Sequence, residues 1–482
     1  MIFSYIVSSM KILFLHENYI EESLGVASLS AVLKAAGHEC DVLIEQAEGK
    51  DFLKKILSSR PGLIAFSCST GRHVWANKTA GEIRRIMDVP ILMGGIHPTL
   101  YPEQAIAEEN MDMICRGEGE YPLLELADRI EAGQGISGIE NLWVKQGRRI
   151  IKNEIRPLND LNQLPYPDRA LYYKYAYNRD LPSKRFMSGM GCPFSCSFCH
   201  NNLLRRLYRG KGPYVRRKSV DYIIAEILEV KRQVPLELVH FSDDLFVSDR
   251  RWLEDFSAAY RRQVALPFNG NVRIADIDEH KATLLRQAGC HAVTFGLECA
   301  NEFLRNRVIR KELPDEAIRR NTVLLKKKRI RILTTNMLGL PHEKLDDIYA
   351  TIRLNRQIKT DYVRVFMTKP HQKTDLFEYG RRSGLLTEAA FNNDHYSDLE
   401  NVYFRIPHAR EARNLRWLFY LIMKFPILEI PSRFLIRCRL EGLYRWMFFL
   451  TTALQERHFF RIGLMSGIRA GLRLRPARGR HF

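Results

Sequence analysis

Three of the nine cysteines lie within eight residues of one another and form the most reactive stretch of the sequence. Cys192, Cys196 and Cys199 have the spacing Cys-x3-Cys-x2-Cys, and His200 follows directly. Three thiolates on one short loop can hold three corners of a four-iron four-sulfur cube and leave the fourth iron without a protein ligand. A structural zinc site needs a fourth ligand, and no second Cys or His pair follows at metal-finger spacing. The pattern therefore favours an iron–sulfur cluster over zinc or a chance group of buried cysteines.

The loop resembles the cluster loop of the radical S-adenosylmethionine (SAM) superfamily, which has the pattern Cys-x3-Cys-x-aromatic-Cys. Cys192, Cys196, Phe198 and Cys199 match it. The resemblance implies that the three cysteines are the iron ligands of the catalytic centre and that Phe198 lies beside the cofactor. It also implies that the open iron binds SAM, which one electron cleaves to methionine and a 5′-deoxyadenosyl radical. That radical would abstract hydrogen from a substrate.

Strand and helix patterns alternate through residues 183–400, and they predict a parallel partial barrel of six strand–helix units. The strands are predicted at 185–188, 238–242, 268–272, 292–297, 332–338 and 362–367. Chemistry gathers at the carboxyl ends of the strands in parallel barrels. The polar residues that follow these strands should therefore lie around the cysteine loop.

The resemblance extends to four of these strand ends, at 241–246, 269–276, 295–302 and 336–343. It implies that Glu298 lies on the ribose or amino side of SAM and that Gly339 lies near the adenine. Asp243 and Arg273 are further candidates for contact with SAM or substrate. The alternative for Asp243 is to cap the helix that follows its strand.

Two positions depart from the pattern of the superfamily. Relatives commonly carry Arg before the Gly-Cys-Pro of the loop, where this chain has Met190. They commonly carry Ser at the position of Cys299, which is a milder change. No role that depends on the first of these residues can therefore be carried over to this chain.

Short apolar strands also alternate with helices in residues 1–150, which predicts a doubly wound, flavodoxin-like parallel sheet covered on both faces. Ligands of such sheets bind beyond the carboxyl ends of the strands. Polar or glycine-rich stretches follow three predicted strands, at 67–70, 94–98 and 116–120. They should share one rim of the sheet.

Residues 10–145 resemble the cobalamin-binding domain that precedes many radical SAM domains. The resemblance is clearest in GGIHPTLYPEQA and in the strand and loop MDMICRGEGEYPLLEL. It implies that cobalamin binds at the rim, with contacts from Ser67, Gly94, Gly95, Glu118 and Gly119. Glycine would let the backbone approach the corrin closely, and the alternative is that these glycines only make tight turns.

One feature of many cobalamin-binding domains is missing. Methionine-synthase-like domains carry Asp-x-His-x-x-Gly after the first strand, and this chain has Leu15-His16-Glu17-Asn18 there. His16 or His97 could ligate cobalt, but a lone histidine is more often a packing or surface residue. We therefore expect cobalamin without a histidine ligand from the protein, or a domain that has lost cobalamin.

The last two segments have different compositions. Residues 151–182 are expected to form a linker, because Pro165 and Pro167 keep the chain extended. Residues 401–482 contain sixteen Arg or Lys against four Glu, so most of the net charge of +19 lies there. Apolar and basic residues interleave at helical spacing in this segment, which predicts basic amphipathic helices.

A basic amphipathic helix with aromatic residues favours an anionic membrane surface. Trp417, Trp446, Phe448 and Phe449 would then enter the interface. The alternative is a helical cap packed on the barrel with a solvated Arg face. Nucleic acid is the least favoured partner, because no RNA-binding pattern is present.

The overall composition limits the class of protein. A length of 482 residues predicts two or three domains, and 46% hydrophobic with 27% charged residues is ordinary for globular proteins. The six remaining cysteines are scattered, unlike a secreted disulfide framework. The N-terminus lacks the basic region of a signal peptide, and no apolar run is long enough to span a membrane. We expect a cytoplasmic protein, peripheral on the inner face of the membrane if the tail binds lipid.

Together these patterns predict a cobalamin-dependent radical SAM enzyme that methylates an unactivated carbon of a hydrophobic or natural-product substrate. The alternative within the family is an oxidative cyclase or rearrangement enzyme acting on a tetrapyrrole or a lipid. Members of the family include an anaerobic Mg-protoporphyrin ester cyclase and hopanoid-pathway enzymes. From another class, the chain could be a non-catalytic cobalamin or SAM sensor. An enzyme would need an electron donor such as flavodoxin or ferredoxin.

Overall fold

The computed structural model describes residues 9–18, 22–392 and 401–460, which form two compact units. The first unit contains the residues up to Leu181 and the segment Leu204–Arg216. The second unit contains Pro182–Leu203, Arg217–Asn392 and the described residues after 400. The stretch predicted as a linker therefore clusters almost wholly with the first unit, and the C-terminal segment clusters with the second.

A seven-stranded sheet forms the centre of the first unit, in the order β2-β1-β3-β4-β5-β6-β7. Its strands are β1 (Lys11–His16), β2 (Glu39–Ile44), β3 (Leu63–Ser67), β4 (Ile91–Gly94), β5 (Met113–Cys115), β6 (Leu142–Gln146) and β7 (Arg149–Lys152). The first five strands are parallel, and their order 2-1-3-4-5 is that of flavodoxin-like sheets, which confirms the predicted fold class.

The prediction of parallel strands alone was incomplete. Strands β6 and β7 extend the sheet in antiparallel fashion as a hairpin. Its turn contains Gly147, whose φ of +60° lies in the left-handed region that glycine tolerates best. This hairpin lies at the boundary that the sequence pattern assigned to the linker.

Both faces of the first sheet are covered. Ile12 and Phe14 of β1 belong to one buried core, and Leu13 and Leu15 belong to the other, as expected when alternate side chains point to opposite faces. The helices of this unit are α1 (Leu24–Ala35), α2 (Glu45–Glu48), α3 (Phe52–Ser59), α4 (Arg72–Arg84), α5 (Ile96–Leu100), α6 (Pro102–Ala107), α7 (Glu120–Glu131), α8 (Ala170–Tyr173) and α9 (Ala176–Asp180).

A six-stranded parallel sheet forms the centre of the second unit, in the order β15-β14-β13-β12-β11-β8. Its strands are β8 (Ser183–Phe186), β11 (Leu238–Phe241), β12 (Phe268–Asn271), β13 (Cys290–Glu298), β14 (Arg331–Leu338) and β15 (Tyr362–Met367). Two short strands, β9 (Gly189–Met190) and β10 (Arg216–Arg217), lie outside it. All six predicted strands are present, although the first runs two residues earlier than predicted.

Helices alternate with these strands, and short polar side chains set where several of them begin. Ser219, Asp249 and Asp278 each accept a hydrogen bond from a backbone N–H of the first helical turn. The helices are α10 (His200–Leu207), α11 (Val220–Gln233), α12 (Arg250–Gln263), α13 (Glu279–Ala288), α14 (Asp315–Lys327), α15 (Leu345–Gln357), α16 (Asp375–Arg382), α17 (Ala409–Lys424), α18 (Glu429–Leu435) and α19 (Glu441–Phe460).

The described part of the basic C-terminal segment, residues 401–460, divides into a buried part and an exposed part, and the amphipathic helices predicted for 461–482 lie outside the described residues. Trp417 of α17 is only 2% exposed and packs in one core with Leu338 and Val365 of the sheet. The expectation that Trp417 enters a membrane interface was therefore wrong, because α17 is a cap on the sheet. In contrast, Trp446 of α19 is 59% exposed, and Ile430 of α18 is 74% exposed.

All nine cysteines lie in described parts of the chain, and none of them is in a disulfide. Within the described residues, no helix has both the length and the apolar character needed to cross a bilayer.

Candidate active site

The cysteine loop of the second unit is held in place by backbone contacts. The N–H of Ser197 donates to the carbonyl of Ile309 at 3.0 Å, and its hydroxyl donates to the carbonyl of Val308 at 2.9 Å. The N–H of Leu376 donates to the carbonyl of Ser197 at 2.8 Å. At the start of the loop, Gly191 has a φ of +87°, a conformation that favours glycine. Contacts within the chain thus hold the loop in position.

The three thiols of the loop lie close enough to influence one another. Burial raises the pKa of Cys192 to about 11, and the thiols of Cys199 and Cys196 add to that shift. Burial also raises the pKa of Cys196, whereas the ammonium of Lys311 opposes the shift. Within the described residues, no three His, Cys, Asp or Glu side chains converge on the position of a single metal ion. A cube makes a different demand, because each thiolate binds its own iron, and three thiols on one loop fit it.

Lys311 was not identified from the sequence, and it occupies a central position beside the loop. Its ammonium donates to Glu298 Oε1 at 2.7 Å and lies 5.9 Å from the ring centroid of Phe198. Burial lowers the pKa of Lys311, but the carboxylate of Glu298 and the thiol of Cys196 more than offset this and raise it. The predicted site residues Glu298, Phe198 and Cys196 are therefore brought together around one half-buried positive charge.

Glu298 itself adopts an unusual backbone conformation, with a φ of +65° at the end of β13. Its side chain folds over Gly296, where an added Cβ would lie 1.9 Å from Glu298 Oε1 and 2.2 Å from Lys311 Nζ. Any residue other than glycine at position 296 would therefore displace the ion pair.

Arg273 has a structural role in this site. Its guanidinium lies over the ring of Phe194 in the cysteine loop, 3.6 Å from the centroid. It also donates to the carbonyl oxygens of Lys311 at 3.0 Å and Glu312 at 2.6 Å. Arg273 thus holds the cysteine loop next to the turn that carries Lys311. Its predicted contact with SAM or substrate remains a prediction.

The two neighbouring carboxylates after β11, Asp243 and Asp244, make different contacts. Asp243 is 1% exposed and accepts hydrogen bonds from the N–H of Ser188, at 2.8 Å, and from the Ser188 hydroxyl. Burial raises the pKa of Asp243 to about 6, against those hydrogen bonds and the nearby Arg217. Asp244 is exposed and accepts from the N–H of Gly191 at 3.0 Å and from Asn201 at 2.9 Å. Asp243 therefore supports the end of β8, and Asp244 contacts the cysteine loop.

The turn at Gly339 depends on Glu343, which sequence reasoning also missed. Glu343 Oε2 accepts from the N–H of Gly339 at 2.6 Å and from that of Leu340 at 3.3 Å. Gly339 has a φ of +78°, and an added Cβ would lie 3.1 Å from Met367 Cε. Burial raises the pKa of Glu343 to about 8. Glu343 lies in the segment 336–343, which resembles the radical SAM superfamily, but nothing in the sequence indicated that its carboxylate contacts the backbone at Gly339.

At the rim of the first unit, Ser67 and Gly94 are the predicted contacts that leave room for a ligand. Ser67 is exposed at the end of β3, and a Cβ added to Gly94 would have no neighbour nearer than 3.9 Å. Nearby, the hydroxyl of Thr70 is buried and has no hydrogen-bond partner among the described residues. Space beside an exposed hydroxyl and an unsatisfied one is compatible with a bound cobalamin.

Gly95 is needed for the packing of the rim itself, and its contact with cobalamin remains a prediction. Its φ is +98°, and an added Cβ would lie 2.8 Å from both the backbone nitrogen and the carbonyl oxygen of Cys68. The turn after β4 therefore needs glycine to lie against the turn after β3, whether or not a ligand is present.

Glu118 and Gly119 are engaged within the protein. The Glu118 carboxylate pairs with Arg216 and accepts from the N–H of Asn159 at 2.8 Å, and its own N–H donates to Tyr208 Oη at 2.8 Å. A Cβ on Gly119 would lie 3.2 Å from Leu29 Cδ2. These contacts account for both residues without cobalamin.

Neither candidate histidine is presented to a ligand. His16 is 4% exposed, and its Nε2 lies 2.9 Å from Tyr172 Oη. His97 is fully buried and stacks on His73 with 3.7 Å between ring centroids. Burial lowers the pKa of His16 to about 4 and that of His97 to about 3. The rim thus fits cobalamin without cobalt ligation by either of these histidines.

Comparison with known families agrees with this division of the chain. The family described as "B12 binding domain" matches residues 10–127, and the Radical SAM superfamily matches residues 187–354. A protein of Pyrococcus horikoshii named an uncharacterized methyltransferase is 27% identical over 439 residues, which are 88% of this chain and 93% of that protein. The anaerobic magnesium-protoporphyrin IX monomethyl ester cyclase of Rubrivivax gelatinosus is 28% identical over 398 residues, 77% of this chain and 70% of the cyclase.

A solved structure shows the same fold. The cobalamin-dependent SAM radical enzyme OxsB, with aqua-cobalamin and SAM bound, superposes with a TM-score of 0.70 and 13% identity over 97% of this chain and 75% of that chain. The chain thus combines a B12-binding domain at residues 10–127 with a Radical SAM domain at residues 187–354. It is a radical SAM enzyme whose cofactors are a 4Fe-4S cluster, SAM and cobalamin.

Proposed function

We propose that the enzyme methylates an unactivated carbon of a small, largely hydrophobic molecule or natural product. The observation that carries the proposal is the presence in one chain of the anchored three-cysteine loop and of a B12-binding domain. The Pyrococcus relative, 93% of which is matched, bears the name methyltransferase, and this supports methyl transfer over other radical chemistry.

When bound, the cluster and SAM would supply the 5′-deoxyadenosyl radical, and cobalamin would supply the methyl group. The residues of the chain hold these reactants in place. Cys192, Cys196 and Cys199 would ligate three irons of the cluster, and Arg273 and Asp244 fix the loop that carries them. The ammonium of Lys311 opposes the rise in the pKa of Cys196, and it would offset the negative charge of the thiolates that hold the cluster.

A second candidate reaction is oxidative cyclisation or rearrangement of a tetrapyrrole or lipid. It is favoured by the Rubrivivax cyclase, which matches 77% of this chain. Both reactions use the same radical, and they differ in whether the substrate radical receives a methyl group. The products therefore distinguish them.

The test measures two products of SAM. The protein is purified without oxygen, reconstituted with iron and sulfide, loaded with hydroxocobalamin and mixed with dithionite, SAM and pooled small-molecule fractions. Methylation consumes two SAM and two electrons and releases methionine, 5′-deoxyadenosine and S-adenosylhomocysteine. Equal amounts of the two adenosyl products, with a substrate mass gain of one CH2, would support methyl transfer.

Other outcomes are equally informative. Substrate-dependent 5′-deoxyadenosine without S-adenosylhomocysteine would favour cyclisation or rearrangement. Cys196→Ala is the control that should abolish both products. Product formation by Cys196→Ala at the wild-type rate would contradict the assignment of the site.

We also propose a reducing, cytoplasmic setting with a flavodoxin or ferredoxin as electron donor. The nine unpaired cysteines support this, and so does the half-buried position of the three thiols, which oxygen could reach. Reduced flavodoxin or ferredoxin should replace dithionite in the assay. Failure of both at micromolar concentration would remove these donors from the proposal.

We also propose that the enzyme binds peripherally to an anionic membrane. It is supported by the apolar surface of the C-terminal helices, where large side chains remain exposed: Phe425, Ile427, Ile430, Phe434, Leu443, Trp446, Leu450 and Leu454. Arg433, Arg437 and Arg439 lie in the same stretch, so an anionic bilayer offers both apolar burial and charge complementarity.

Vesicle sedimentation tests this surface. The full chain should bind vesicles that contain phosphatidylglycerol more tightly than neutral vesicles. The variant with Ile427→Glu and Ile430→Glu should lose at least about tenfold in affinity, because both side chains are mostly exposed. Binding that is unchanged in this variant would refute the proposal. A dimer that dissociates in the variant would instead identify the surface as a contact between two copies.

A further inference from the structure

One segment of the second unit, residues 299–313, joins Glu298 to the lysine with which it pairs, Lys311. Within it, Leu304–Val308 forms a π-helical turn. Such turns are rare, and they occur frequently at functional sites. The segment 299–313 is here called the ion-pair loop, because its path determines where the two charges of the pair lie.

Lys311 lies between two residues whose backbone is in the left-handed region. Arg310 has a φ of +49° and Glu312 has a φ of +52°, values that residues other than glycine seldom adopt. A strained backbone of this kind persists only where the surrounding structure holds it, and it is typical of active sites. The contacts that hold this turn therefore determine where the Lys311 ammonium lies.

Arg305 makes several of these contacts from a fully buried position, and all three nitrogens of its guanidinium donate hydrogen bonds. Its Nε donates to the carbonyl of Leu313 at 2.8 Å. Its Nη1 donates to the carbonyls of Cys299 at 2.8 Å and Ala300 at 3.3 Å. Its Nη2 donates to the carboxylate of Asp315. One side chain thus connects the two ends of the ion-pair loop.

The backbone of Arg305 supports the lysine directly. Its carbonyl accepts a hydrogen bond from the N–H of Lys311 at 2.9 Å. A few residues after Arg305, the carbonyls of Val308 and Ile309 accept from the hydroxyl and the N–H of Ser197 in the cysteine loop. The ion-pair loop therefore carries the lysine and also contacts the loop that would hold the cluster.

A buried guanidinium at this position needs an explanation, because removing an ion from water is unfavourable and an apolar side chain often replaces a buried ion pair without loss of stability. The side chain of its carboxylate partner, Asp315, is 37% exposed, so the ion pair alone offers little compensation. Arginine differs from an apolar side chain, and from lysine, in having a rigid fork of donors that holds several carbonyl oxygens at once. This property fits a residue that fixes the path of the ion-pair loop.

We propose that Arg305 is a positioning residue for reduction of the cluster, because it holds both ends of the ion-pair loop and thereby fixes the Lys311 ammonium beside the cysteine loop. Reduction adds one electron, and so one negative charge, to the cluster, and a nearby positive charge stabilises the reduced form. The reduction potential should therefore depend on where Lys311 lies. The proposal goes beyond the function proposed above, since methyl transfer and cyclisation both begin with this electron.

The first experiment measures the midpoint potential of the cluster in the reconstituted, cobalamin-loaded full chain, without SAM or substrate. Dithionite supplies the electron, and electron paramagnetic resonance follows the reduced cluster. Lys311→Met should make the potential more negative, because a positive charge is lost. Arg305→Lys keeps the charge at position 305 but loses the fork of donors, so its potential should shift in the same direction by a smaller amount.

A double variant tests whether Arg305 acts through Lys311. In the Lys311→Met background, Arg305→Lys should cause no further shift of the potential, since no ammonium remains at position 311 to be displaced. Arg416→Lys is the matched control, because Arg416 is a buried arginine of the same unit that donates to the carbonyl of Val365 at 3.1 Å. It should lower Tm and leave the potential unchanged.

Chemical modification provides a second measurement that does not need the cluster. The side chain of Lys311 is 16% exposed, so formaldehyde with a borohydride should methylate it slowly in the wild type. In Arg305→Lys the reaction should be at least about threefold faster, because the ion-pair loop opens more often. Mass spectrometry of the peptide measures the rate, with Lys328 as the internal reference.

The outcomes distinguish this proposal from the function itself. A shifted potential in Arg305→Lys, with no further shift in the double variant, supports the proposal even if methyl transfer is never seen. An unchanged potential in Arg305→Lys would overturn it, since the residue would then only support the fold. An equal shift in Arg416→Lys, or a full further shift in the double variant, would overturn it too. If Arg305→Lys assembles no cluster, methylation of Lys311 decides, and a wild-type rate would refute the proposal.

Discussion

The rims of the two parallel sheets, one in each unit, carry similar sequence features but use them differently. In both, glycine and polar residues follow the strands. In the second unit, Glu298 and Phe198 meet at Lys311 beside the cysteine loop. In the first unit, Gly95 and Glu118 are committed to contacts within the protein. The same placement after a strand thus produces a reactive site in one sheet and mainly a packed turn in the other.

The difference follows from what the residue types can do. Thiols or carboxylates that cluster tightly usually bind a metal ion or a charged group. The spacing of such residues in the sequence therefore indicates a binding site. A glycine after a strand provides a backbone conformation, which a turn needs as much as a ligand does. For variants at the two rims, cofactor content and the free energy of unfolding should therefore be measured separately, since a substitution can lower one without the other.

The largest effect is expected for the cysteine loop. Cys192→Ala should abolish the cluster absorbance and reduce 5′-deoxyadenosine to the background level, because three thiolates are the minimum set for the cube. Cys438→Ala is the control, since Cys438 is exposed on the C-terminal segment and far along the chain from the loop. Iron content and SAM cleavage are measured together. A Cys192→Ala protein with full iron content would contradict the assignment.

Replacement of Lys311 tests whether the second rim is built around one half-buried positive charge. Lys311→Met leaves the Glu298 carboxylate, 5% exposed, without its cation, and should lower the free energy of unfolding by about 3–5 kcal/mol. SAM affinity should fall with it. Lys328→Met, which breaks a partly exposed pair with Glu279, should cost no more than about 1 kcal/mol.

A double variant sharpens the result. Lys311→Met with Glu298→Gln removes both charges, so denaturant unfolding should recover most of the lost stability. SAM affinity should stay low if the two residues bind SAM. Full recovery of SAM affinity would show that the pair only supports the fold.

These residues also mark what the sequence could predict. The cysteine loop and the six strands were predictable, because thiol spacing and the alternation of apolar segments are local properties. Lys311 was missed, because only the fold of the turn after β13 brings its ammonium to the Glu298 carboxylate, and no sequence pattern indicates that contact. The tail shows the same limit: Trp417 and Trp446 have similar local patterns, but only the tertiary contacts of α17 bury the former.

The first rim offers a matched pair of glycine variants. Gly95→Ala should lower the free energy of unfolding by about 1–3 kcal/mol, because its φ of +98° is strained for alanine and its Cβ would meet the Cys68 backbone. Gly94→Ala has room for its Cβ and should change stability by less than about 0.5 kcal/mol. Gly94→Ala should nevertheless reduce retained cobalamin, measured by its absorbance after gel filtration. Equal losses of stability would remove the distinction drawn between the two glycines.

The Gly339 turn should make the stability of the protein depend on pH. Burial raises the pKa of Glu343 to about 8 from its ordinary value of 4.5. Between these values the folded protein keeps a proton that the unfolded chain has lost. The contribution of this group to stability is therefore full below pH 4.5 and declines as the pH rises to about 8.

Glu343→Gln cannot titrate, so its free energy of unfolding should fall less than that of the wild type between about pH 6 and about pH 8. The difference in the free energy of unfolding between Glu343→Gln and the wild type should change by no more than about 1.4 kcal/mol per pH unit. Glu316→Gln, at a mostly exposed position of α14, changes the formal charge equally and should follow the wild-type profile. Parallel profiles for Glu343→Gln and the wild type would mean that the carboxyl is already ionised. The second rim would then contain a buried negative charge at Gly339 as well as the one that Lys311 compensates.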